Sequence, residues 1–239
     1  MNLMGETLKI SGIYNSEILN RTSLEGVNHF AFDFRVRSPN FLPEYSFKEI
    51  IEKNFNHQAK YYLHYQDEKD FMINRLIDEL KKSLHSIGRG QEYLKNFILQ
   101  FSDAREVSFY ENCALNFIWE YHPLGDIERI VQCKNNCGIL IPYDYIQNAA
   151  NDGSLQNMAI KILRARQLKG KSGKDKEPFQ VTLQLDWSSD VLPSLSEFLS
   201  FDIIDLPINS NIESSYRNVD YTNMINSLAD IKKIAFQNI

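Results

Sequence analysis

The chain has 239 residues, of which 43% are hydrophobic and 24% are charged, and its formal net charge is −5. This length allows one large core, and we predict a single domain spanning residues 1–239, since α/β barrels commonly run to roughly 250 residues. The acidic balance argues against a general nucleic-acid-binding protein, whose domain is normally basic. No apolar run reaches the ~20 residues of a membrane span, and the first residues lack the pattern of a signal peptide, so we expect no membrane association.

The cysteines favour a reducing compartment. There are three, Cys113, Cys133 and Cys137, and an odd number cannot pair completely. Cys133 and Cys137 do not form a zinc signature, because no second pair and no His partner lie at usable spacing. We therefore predict a cytoplasmic protein without a metal site or a cofactor.

Strand-like segments alternate with helical ones along the chain, which predicts a parallel sheet covered by helices. The eight candidate strands are Leu8–Ile13, His29–Phe34, Lys60–Tyr65, Phe97–Phe101, Phe117–Tyr121, Gly138–Ile141, Gln180–Leu185 and Ile203–Ile208. Eight such strands predict a closed, parallel (β/α)8 TIM barrel. A flavodoxin-like open sheet is the alternative, and it would need fewer strands.

Two stretches between the strands carry clear helix signals. Residues 71–80 have apolar positions at spacings of three and four, as one face of an amphipathic helix requires. Asp152, Gly153 and Ser154 form a predicted turn and helix start, followed by a second amphipathic helix.

The beginning of the chain resembles a known family. Residues 8–13 read Leu-Lys-Ile-Ser-Gly-Ile, and after a helix-length gap residues 32–41 read Phe-Asp-Phe-Arg-Val-Arg-Ser-Pro-Asn-Phe. This resembles the first two βα units of phosphoribosylanthranilate isomerase, Lys-Ile-Cys-Gly-Ile followed by Gly-Phe-X-Phe-X-Pro-Lys-Ser-Pro-Arg. Residues 99–106 are similar to the family's fourth strand, and residues 206–220 to its last unit. The resemblance implies a barrel of the isomerase type, whose activity belongs to tryptophan biosynthesis.

The same resemblance implies altered catalytic positions. The family's general base is the Cys of its first motif, and its final Arg contacts the anthranilate carboxylate, whereas this chain has Ser11 and Asn40 there. An unactivated hydroxyl is a poor base, while a Cys thiol titrates near ~8.5. The family's acid, an Asp that ends the sixth strand, corresponds to Pro142, with Asp144 two residues later. Ser11 and Asp144 are thus the candidate catalytic residues, and a polar barrel-lining residue and a turn residue are the simpler interpretations.

The phosphate-binding positions implied by the resemblance are also substituted. Such barrels bind phosphate with backbone N–H groups of glycine-rich loops after the last two strands. The family's Gly-Gly falls on Leu185 and Asp186, and a carboxylate would repel a phosphate dianion by roughly 1 kcal/mol or more at contact distance. The candidate phosphate-binding residues are Gly153, Ser154, Ser210 and Asn211, of which Gly153 and Ser154 match the family's Gly-Gly-Thr-Gly loop.

Further polar residues follow the predicted strands. Arg35 and Arg37 flank the end of the second strand and could bind a carboxylate or phosphate through forked hydrogen bonds, or remain surface charges. We count Arg35, Arg37, Asn40 and Asp186 as candidate substrate-binding residues. A closed barrel could also bring together His64, Glu120, His122 and Asp186, although their spacing is not that of metal ligands.

Residues 161–176 hold the main concentration of basic residues. Gly170-Lys171-Ser172 within it is not a phosphate-binding P-loop, because Ala165 stands where that motif has its first glycine. A solvated helix end is the main interpretation, and a surface for an acidic protein partner or for nucleic acid is the minority one.

Three functional hypotheses remain open from the sequence. The first is a diverged homologue of the isomerase, non-catalytic or repurposed to bind an unidentified small molecule. The second is a working phosphoribosylanthranilate isomerase that uses replacement residues. The third is an interaction protein that uses residues 161–176.

Overall fold

The computed structural model describes residues 4–103, 105–170, 178–187, 191–196 and 199–236. Within them, eight parallel strands close into a barrel in sequential order, so the predicted barrel is confirmed and the open-sheet alternative is wrong. The barrel strands are β1 Met4–Ser11, β2 His29–Asp33, β3 Lys60–Tyr65, β4 Phe97–Phe101, β5 Phe117–Glu120, β6 Asn136–Pro142, β7 Gln180–Gln184 and β8 Phe201–Pro207.

Helices connect the strands outside the barrel. They are α1 Ser16–Leu24, α2 Glu44–Asn54, α3 Asp70–Ser86, α4 Val107–Glu111, α5 Ile127–Gln132, α6 Tyr143–Asn151, α7 Leu155–Gly170, α8 Leu192–Ser196 and α9 Tyr221–Phe236, with a 3-10 helix at Gln91–Asn96. The short strands β9 Glu213–Ser215 and β10 Asn218–Val219 form an antiparallel pair after β8. The helix predicted at residues 71–80 lies inside α3, and the turn predicted at residues 152–154 precedes α7. No described helix has the length and hydropathy to cross a membrane.

The predicted strand ends differ from the observed ones at several places. β3 and β4 have the predicted bounds, whereas β1 ends at Ser11, because Gly12 has a φ of +81° and turns the chain out of the strand. β6 ends at Pro142, and α6 begins at the next residue. Asp144 could take the place of the family's acid only if the strand continued past Pro142, so that its side chain pointed to the same side. The strand does not continue: Asp144 is exposed in the first turn of α6.

Apolar side chains fill two separate regions. One is the layer between strands and helices, where aromatic rings such as Phe32 and Phe47 pack edge to face at 4.9 Å between centroids. The other is a smaller cluster inside the barrel, formed by Ala31, Tyr62, Ile98, Ile118, Cys137 and Leu140. Because side chains alternate along a strand, the residues two positions further on also point inward, towards the carboxyl ends of the strands. There the barrel interior is polar.

Candidate functional site

A fully buried lysine lies inside the barrel. Lys9, on β1, is 0% exposed, and its Nζ donates a hydrogen bond to Oε1 of Gln100 at 2.6 Å. The same Nζ lies 3.4 Å from Oδ2 of Asp205 and 4.4 Å from the ring centroid of Tyr62. Burial lowers the pKa of Lys9, and the charge of Asp205 opposes that shift. The lysine thus joins β1, β4 and β8 at the centre of the barrel.

Ser11 is the last residue of β1 and forms a hydrogen bond with the same carboxylate. Its Oγ donates a hydrogen bond to Oδ1 of Asp205, and Nε2 of Gln184 donates to Oδ2 of Asp205 at 2.9 Å. The same carboxylate also accepts from Nζ of Lys9, and an unactivated serine hydroxyl is far too weakly acidic to lose its proton. Ser11 is therefore held as a neutral hydrogen-bond donor.

The amide of Gln100 fixes the proton position on His64. Because Oε1 of Gln100 accepts from Lys9, its Nε2 is the donor that faces Nδ1 of His64 at 3.2 Å. Nδ1 therefore accepts, and the imidazole carries its proton on Nε2. Burial lowers the pKa of His64 well below its ordinary value, so the ring is neutral. Its Nε2 lies 3.1 Å from Oγ of Ser102, to which it donates.

Glu120 ends β5 beside this histidine. Its Oε2 lies 3.9 Å from Nε2 of His64, beyond hydrogen-bond distance, and its side chain is 21% exposed. Neither carboxyl oxygen has a hydrogen-bond partner within the described part of the chain. Burial raises the pKa of Glu120 to about 7, against the opposing charges of Arg35 and Lys9. A carboxyl group with this pKa is both a donor and an acceptor at neutral pH.

Arg35 follows β2 and pairs with a residue that the sequence analysis missed. Its Nε and Nη2 donate to the two oxygens of Asp33 at 2.9 and 2.6 Å. Burial would raise the pKa of Asp33, but these bonds from Arg35 lower it. The pair uses only one edge of the guanidinium group, and Nη1 on the other edge has no hydrogen-bond partner among the described residues.

These groups surround a cavity of about 410 Å³, which we call the mouth cavity. Its lining residues are Arg35, Gln66, Asp67, Ser102, Asp103, Glu120, His122 and Tyr145. They lie at the ends of β2 to β5 and at the start of α6, at the carboxyl face where barrels of this architecture hold their active sites. The arrangement can bind a small polar molecule and exchange a proton with it through Glu120.

A larger hollow of about 560 Å³ lies beside the barrel, between α3 and α4. Arg105 pairs with two of its carboxylates, since its Nε lies 2.7 Å from Asp103 and its Nη1 lies 3.3 Å from Asp70. The mouth cavity is the better candidate, because it lies at the carboxyl ends of the strands, where barrels of this architecture hold their active sites.

The predicted cluster of polar strand-end residues assembles in part. His64 and Glu120 are adjacent, and His122 lines the same cavity, whereas Asp186 is not among the lining residues. No group of three or more His, Cys, Asp or Glu side chains in the described ranges has the geometry of a metal site.

Two of the predicted substrate-binding residues lie elsewhere. Arg37 is exposed and does not line the mouth cavity. Asn40 is buried, and its Nδ2 donates to the backbone oxygen of Ile208 at 2.7 Å. Asn40 therefore ties the loop after β2 to the loop after β8, and its amide nitrogen is already used.

The loops after β7 and β8 are joined by side chains. Asp186 accepts from Nδ2 of Asn209 at 2.5 Å and from Nδ2 of Asn211 at 2.7 Å. Ser210, between the two asparagines, is exposed. The two predicted phosphate-binding residues Gly153 and Ser154 instead lie in the turn between α6 and α7, where Ser154 N donates to the Asp152 carboxylate at 2.9 Å.

The basic segment is only partly described. Arg166 forms an ion pair with Asp202 at 2.6 Å, and Nζ of Lys169 donates to the backbone oxygen of Cys133 at 2.7 Å. Residues 171–176, and with them Lys171 and Lys174, lie outside the described residues. Use of this segment as an interaction surface stays a prediction, as does the cytoplasmic location.

Comparison with known proteins gives matches of structure alone, since no family model and no curated protein matches the sequence. Phosphoribosylanthranilate isomerase from Thermotoga maritima is similar, with a TM-score of 0.59, 13% identity and coverage of 98% of this chain and 99% of that one. The isomerase from Thermus thermophilus has a TM-score of 0.58 and 12% identity, covering 94% and 99%. An HpcH/HpaI aldolase from Desulfitobacterium hafniense DCB-2 has a TM-score of 0.62 and 9% identity, covering 96% and 93%. At these identities the matches establish that this chain has a TIM-barrel fold like that of phosphoribosylanthranilate isomerase.

Proposed function

We propose that this chain is a diverged barrel that binds a small polar molecule in the mouth cavity and does not isomerise phosphoribosylanthranilate. The observation that carries the proposal is the Glu120 carboxyl group, which lines that cavity without a hydrogen-bond partner in the described residues. A ligand that hydrogen-bonds to this mostly buried carboxyl group would give it a direct partner. The cavity volume of about 410 Å³ suits a small ligand.

The residues at the expected catalytic positions support the proposal that this chain does not isomerise phosphoribosylanthranilate. The isomerisation needs one group that removes a proton and another that supplies one. Ser11 donates a hydrogen bond to Asp205, which does not suit the role of a base, and Asp144 is exposed on α6. Loss of two proton-transfer groups removes typically ~10²–10⁴-fold each in rate.

The loops after β7 and β8 also argue against a ribose-phosphate substrate. A phosphate there needs backbone N–H groups that the anion can approach closely. A buried leucine, Leu185, stands where a glycine would allow the close approach, and the Asp186 carboxylate would repel the anion. The amides of Asn209 and Asn211 are already bound to Asp186.

A screen by ligand-observed NMR tests the proposal. Small polar molecules that bind the unmodified protein should no longer bind Ser102→Leu, whose added methyl groups occupy the mouth cavity. Ser108→Leu is the matched control, because Ser108 lines the hollow between α3 and α4 instead. Hits that bind equally to Ser102→Leu, or a protein that binds nothing in the screen, would contradict the proposal.

A further inference from the structure

Two groups with unused hydrogen-bonding capacity line the mouth cavity from different strands. Arg35 follows β2 and Glu120 ends β5, so they approach the cavity from different parts of the barrel wall. Asp33 occupies Nε and one N–H of Nη2 on Arg35, which leaves three of its five donors. A ligand that satisfies both groups must present a hydrogen-bond acceptor to Arg35.

The charges around the cavity limit the choice of ligand. The titratable groups around Glu120 are Lys9, Asp33, Arg35, His64, Asp205 and Tyr145, and Asp67, Asp103 and His122 line the same cavity. Lys9 and Arg35 balance Asp33 and Asp205, Arg105 pairs with Asp103, and His64 is neutral. The interior therefore tolerates one further anion while Glu120 is protonated, and it repels one when Glu120 is ionised. Asp67 at the rim is exposed and more strongly screened by solvent.

We propose that the mouth cavity binds a small organic acid, whose carboxylate accepts hydrogen bonds from the free edge of Arg35 and from the carboxyl group of Glu120. This rests on the proposed function and names its ligand class. A carboxylate is an acceptor only, so it matches two donors, and the guanidinium edge fits its planar oxygens. A hydrogen bond between the Glu120 carboxyl group and the ligand carboxylate needs the proton that Glu120 holds below about pH 7.

The fixed tautomer of His64 assists this geometry. Because Gln100 holds the imidazole with its proton on Nε2, that N–H points towards Ser102 and Glu120. It supplies a positive dipole to the Glu120 side of the cavity and cannot accept the Glu120 proton there. His64 thus acts as a positioning residue that leaves the proton of Glu120 for the ligand.

Isothermal titration with lactate, benzoate and the uncharged lactamide tests the inference at about pH 6 and about pH 8. Both carboxylates should bind about tenfold more tightly at the lower pH, since the protonated fraction of a group with a pKa of about 7 falls about tenfold across that range. Lactamide should bind weakly at both pH values. In Glu120→Gln, whose amide always donates, lactate should bind with no change between the two pH values.

Matched variants separate Glu120 and Arg35 from other groups. His122→Gln should keep the pH dependence, because His122 lines the cavity but is not the group we assign. Arg35→Lys keeps the charge and loses the fork, so lactate affinity should fall at least fivefold, while Arg37→Lys on the same loop should have no effect. If Glu120→Gln does not fold, the protonation of Glu120 in the unmodified protein can be followed by ¹³C NMR instead. Saturating lactate should then raise the pH at which Glu120 is half protonated.

Several outcomes would overturn the inference. One is a lactate affinity that still depends on pH in Glu120→Gln. The others are an affinity for carboxylates that Arg35→Lys leaves unchanged and the absence of carboxylate binding at both pH values. If lactamide, glycerol or choline bound in a way that Ser102→Leu abolished, the organic-acid inference would fail and the proposed small-molecule function would stand. If no probe bound at all, both would fail.

Discussion

The Nζ of Lys9 lies 3.4 Å from Oδ2 of Asp205, and both side chains are fully buried at the centre of the barrel. Two opposite charges in a region of low dielectric each lose their hydration, and their mutual attraction together with hydrogen bonds from neighbours offsets that loss. Asp205 also accepts from Ser11 and Gln184, and Lys9 donates to Gln100. The pair therefore organises the interior polar groups below the mouth cavity.

Replacement of Lys9 by methionine should strongly destabilise the fold. It leaves Asp205 as a buried charge without its cation, a change that typically costs about 3–5 kcal/mol. Urea denaturation measures the loss of the free energy of unfolding. The matched control is Lys48→Met, because Lys48 pairs with Glu79 at a similar 3.3 Å on the exposed surface, where such pairs contribute about 0–1 kcal/mol.

The double variant Lys9→Met/Asp205→Asn should recover part of the stability that Lys9→Met loses, because it removes the stranded charge. Equal losses for Lys9→Met and Lys48→Met would show that the buried pair has no special energetic role.

Glu120 should make the stability of the fold fall as the pH rises. Its pKa is raised from 4.5 to about 7 in the folded state, so the folded protein binds more protons than the unfolded chain between these values. The contribution of Glu120 is therefore most favourable below about pH 4.5 and declines through about pH 7, by about 3 kcal/mol. Urea denaturation at about pH 5 and about pH 8 measures the free energy of unfolding of the unmodified protein and of Glu120→Gln. Relative to Glu120→Gln, the unmodified protein should be less stable at the higher pH than at the lower one.

Glu79→Gln is the control for that comparison. Hydrogen bonds from Lys82 and Lys48 lower the pKa of Glu79 at the surface, so its contribution is present at neutral pH and is lost only as the pH falls through the acid range. If the difference in the free energy of unfolding between the unmodified protein and Glu120→Gln stayed the same from about pH 5 to about pH 8, Glu120 would titrate as an ordinary surface carboxyl group.

Gly12→Ala should cost more stability than Gly153→Ala. Both glycines have a positive φ, +81° and +79°, so each alanine bears a similar backbone strain of about 1–2 kcal/mol. A Cβ on Gly12 would also overlap the Asn40 amide, which is bonded to Ile208, whereas a Cβ on Gly153 meets no atom within 4 Å. In thermal denaturation, Gly12→Ala should lose about 1–3 kcal/mol more of the free energy of unfolding than Gly153→Ala. Equal losses in the two variants would contradict the structural role of Asn40.

The order of the barrel strands could be predicted because each strand is a short apolar run between turns. β3 and β4 even have the predicted bounds, and the polar residues Gln66 and Ser102 directly follow them. The helix α6 was not predicted, because Pro142 was interpreted through the resemblance as a disturbed strand end. A proline also suits the position just before a helix, and here α6 begins directly after it.

The site could be predicted only in part. Arg35, His64, Glu120 and His122 were visible as polar residues at strand ends, whereas Lys9, Asp33 and Asp205 were overlooked within the strands. Their signal was present, because Lys9 lies two residues before Ser11 and so points to the same side of β1. A charge at an inward position of a barrel strand requires a partner, but the sequence cannot tell which distant strand supplies it.

Asp186→Gly should strengthen the weak binding of ribose 5-phosphate that we expect for the unmodified protein. The change removes a carboxylate, worth roughly 1 kcal/mol or about fivefold in affinity, and frees the amides of Asn209 and Asn211. Calorimetric titration measures the gain, and D-ribose, which has no phosphate, should show none. Leu185→Gly is a poorer choice, because Leu185 is 1% exposed and its truncation should cost at least about 2–5 kcal/mol. Tight binding by the unmodified protein would refute the expected repulsion.

Ser11→Cys should not create isomerase activity. The new thiol would lie beside the Asp205 carboxylate, whose negative charge opposes formation of a thiolate. No acid at the end of β6 would assist it, because that position is Pro142. The fluorescence assay that follows consumption of phosphoribosylanthranilate should give the same background rate for Ser11→Cys and the unmodified protein.

That fluorescence assay, applied to the unmodified chain, separates a barrel that has lost the isomerase chemistry from one that performs it with replacement residues. We expect no consumption of phosphoribosylanthranilate above the rate without protein, because Ser11 is held as a donor to Asp205 and Asp144 is exposed on α6. Enzymatic turnover by the unmodified protein, abolished in Ser11→Ala or in Asp144→Asn, would contradict the proposed function.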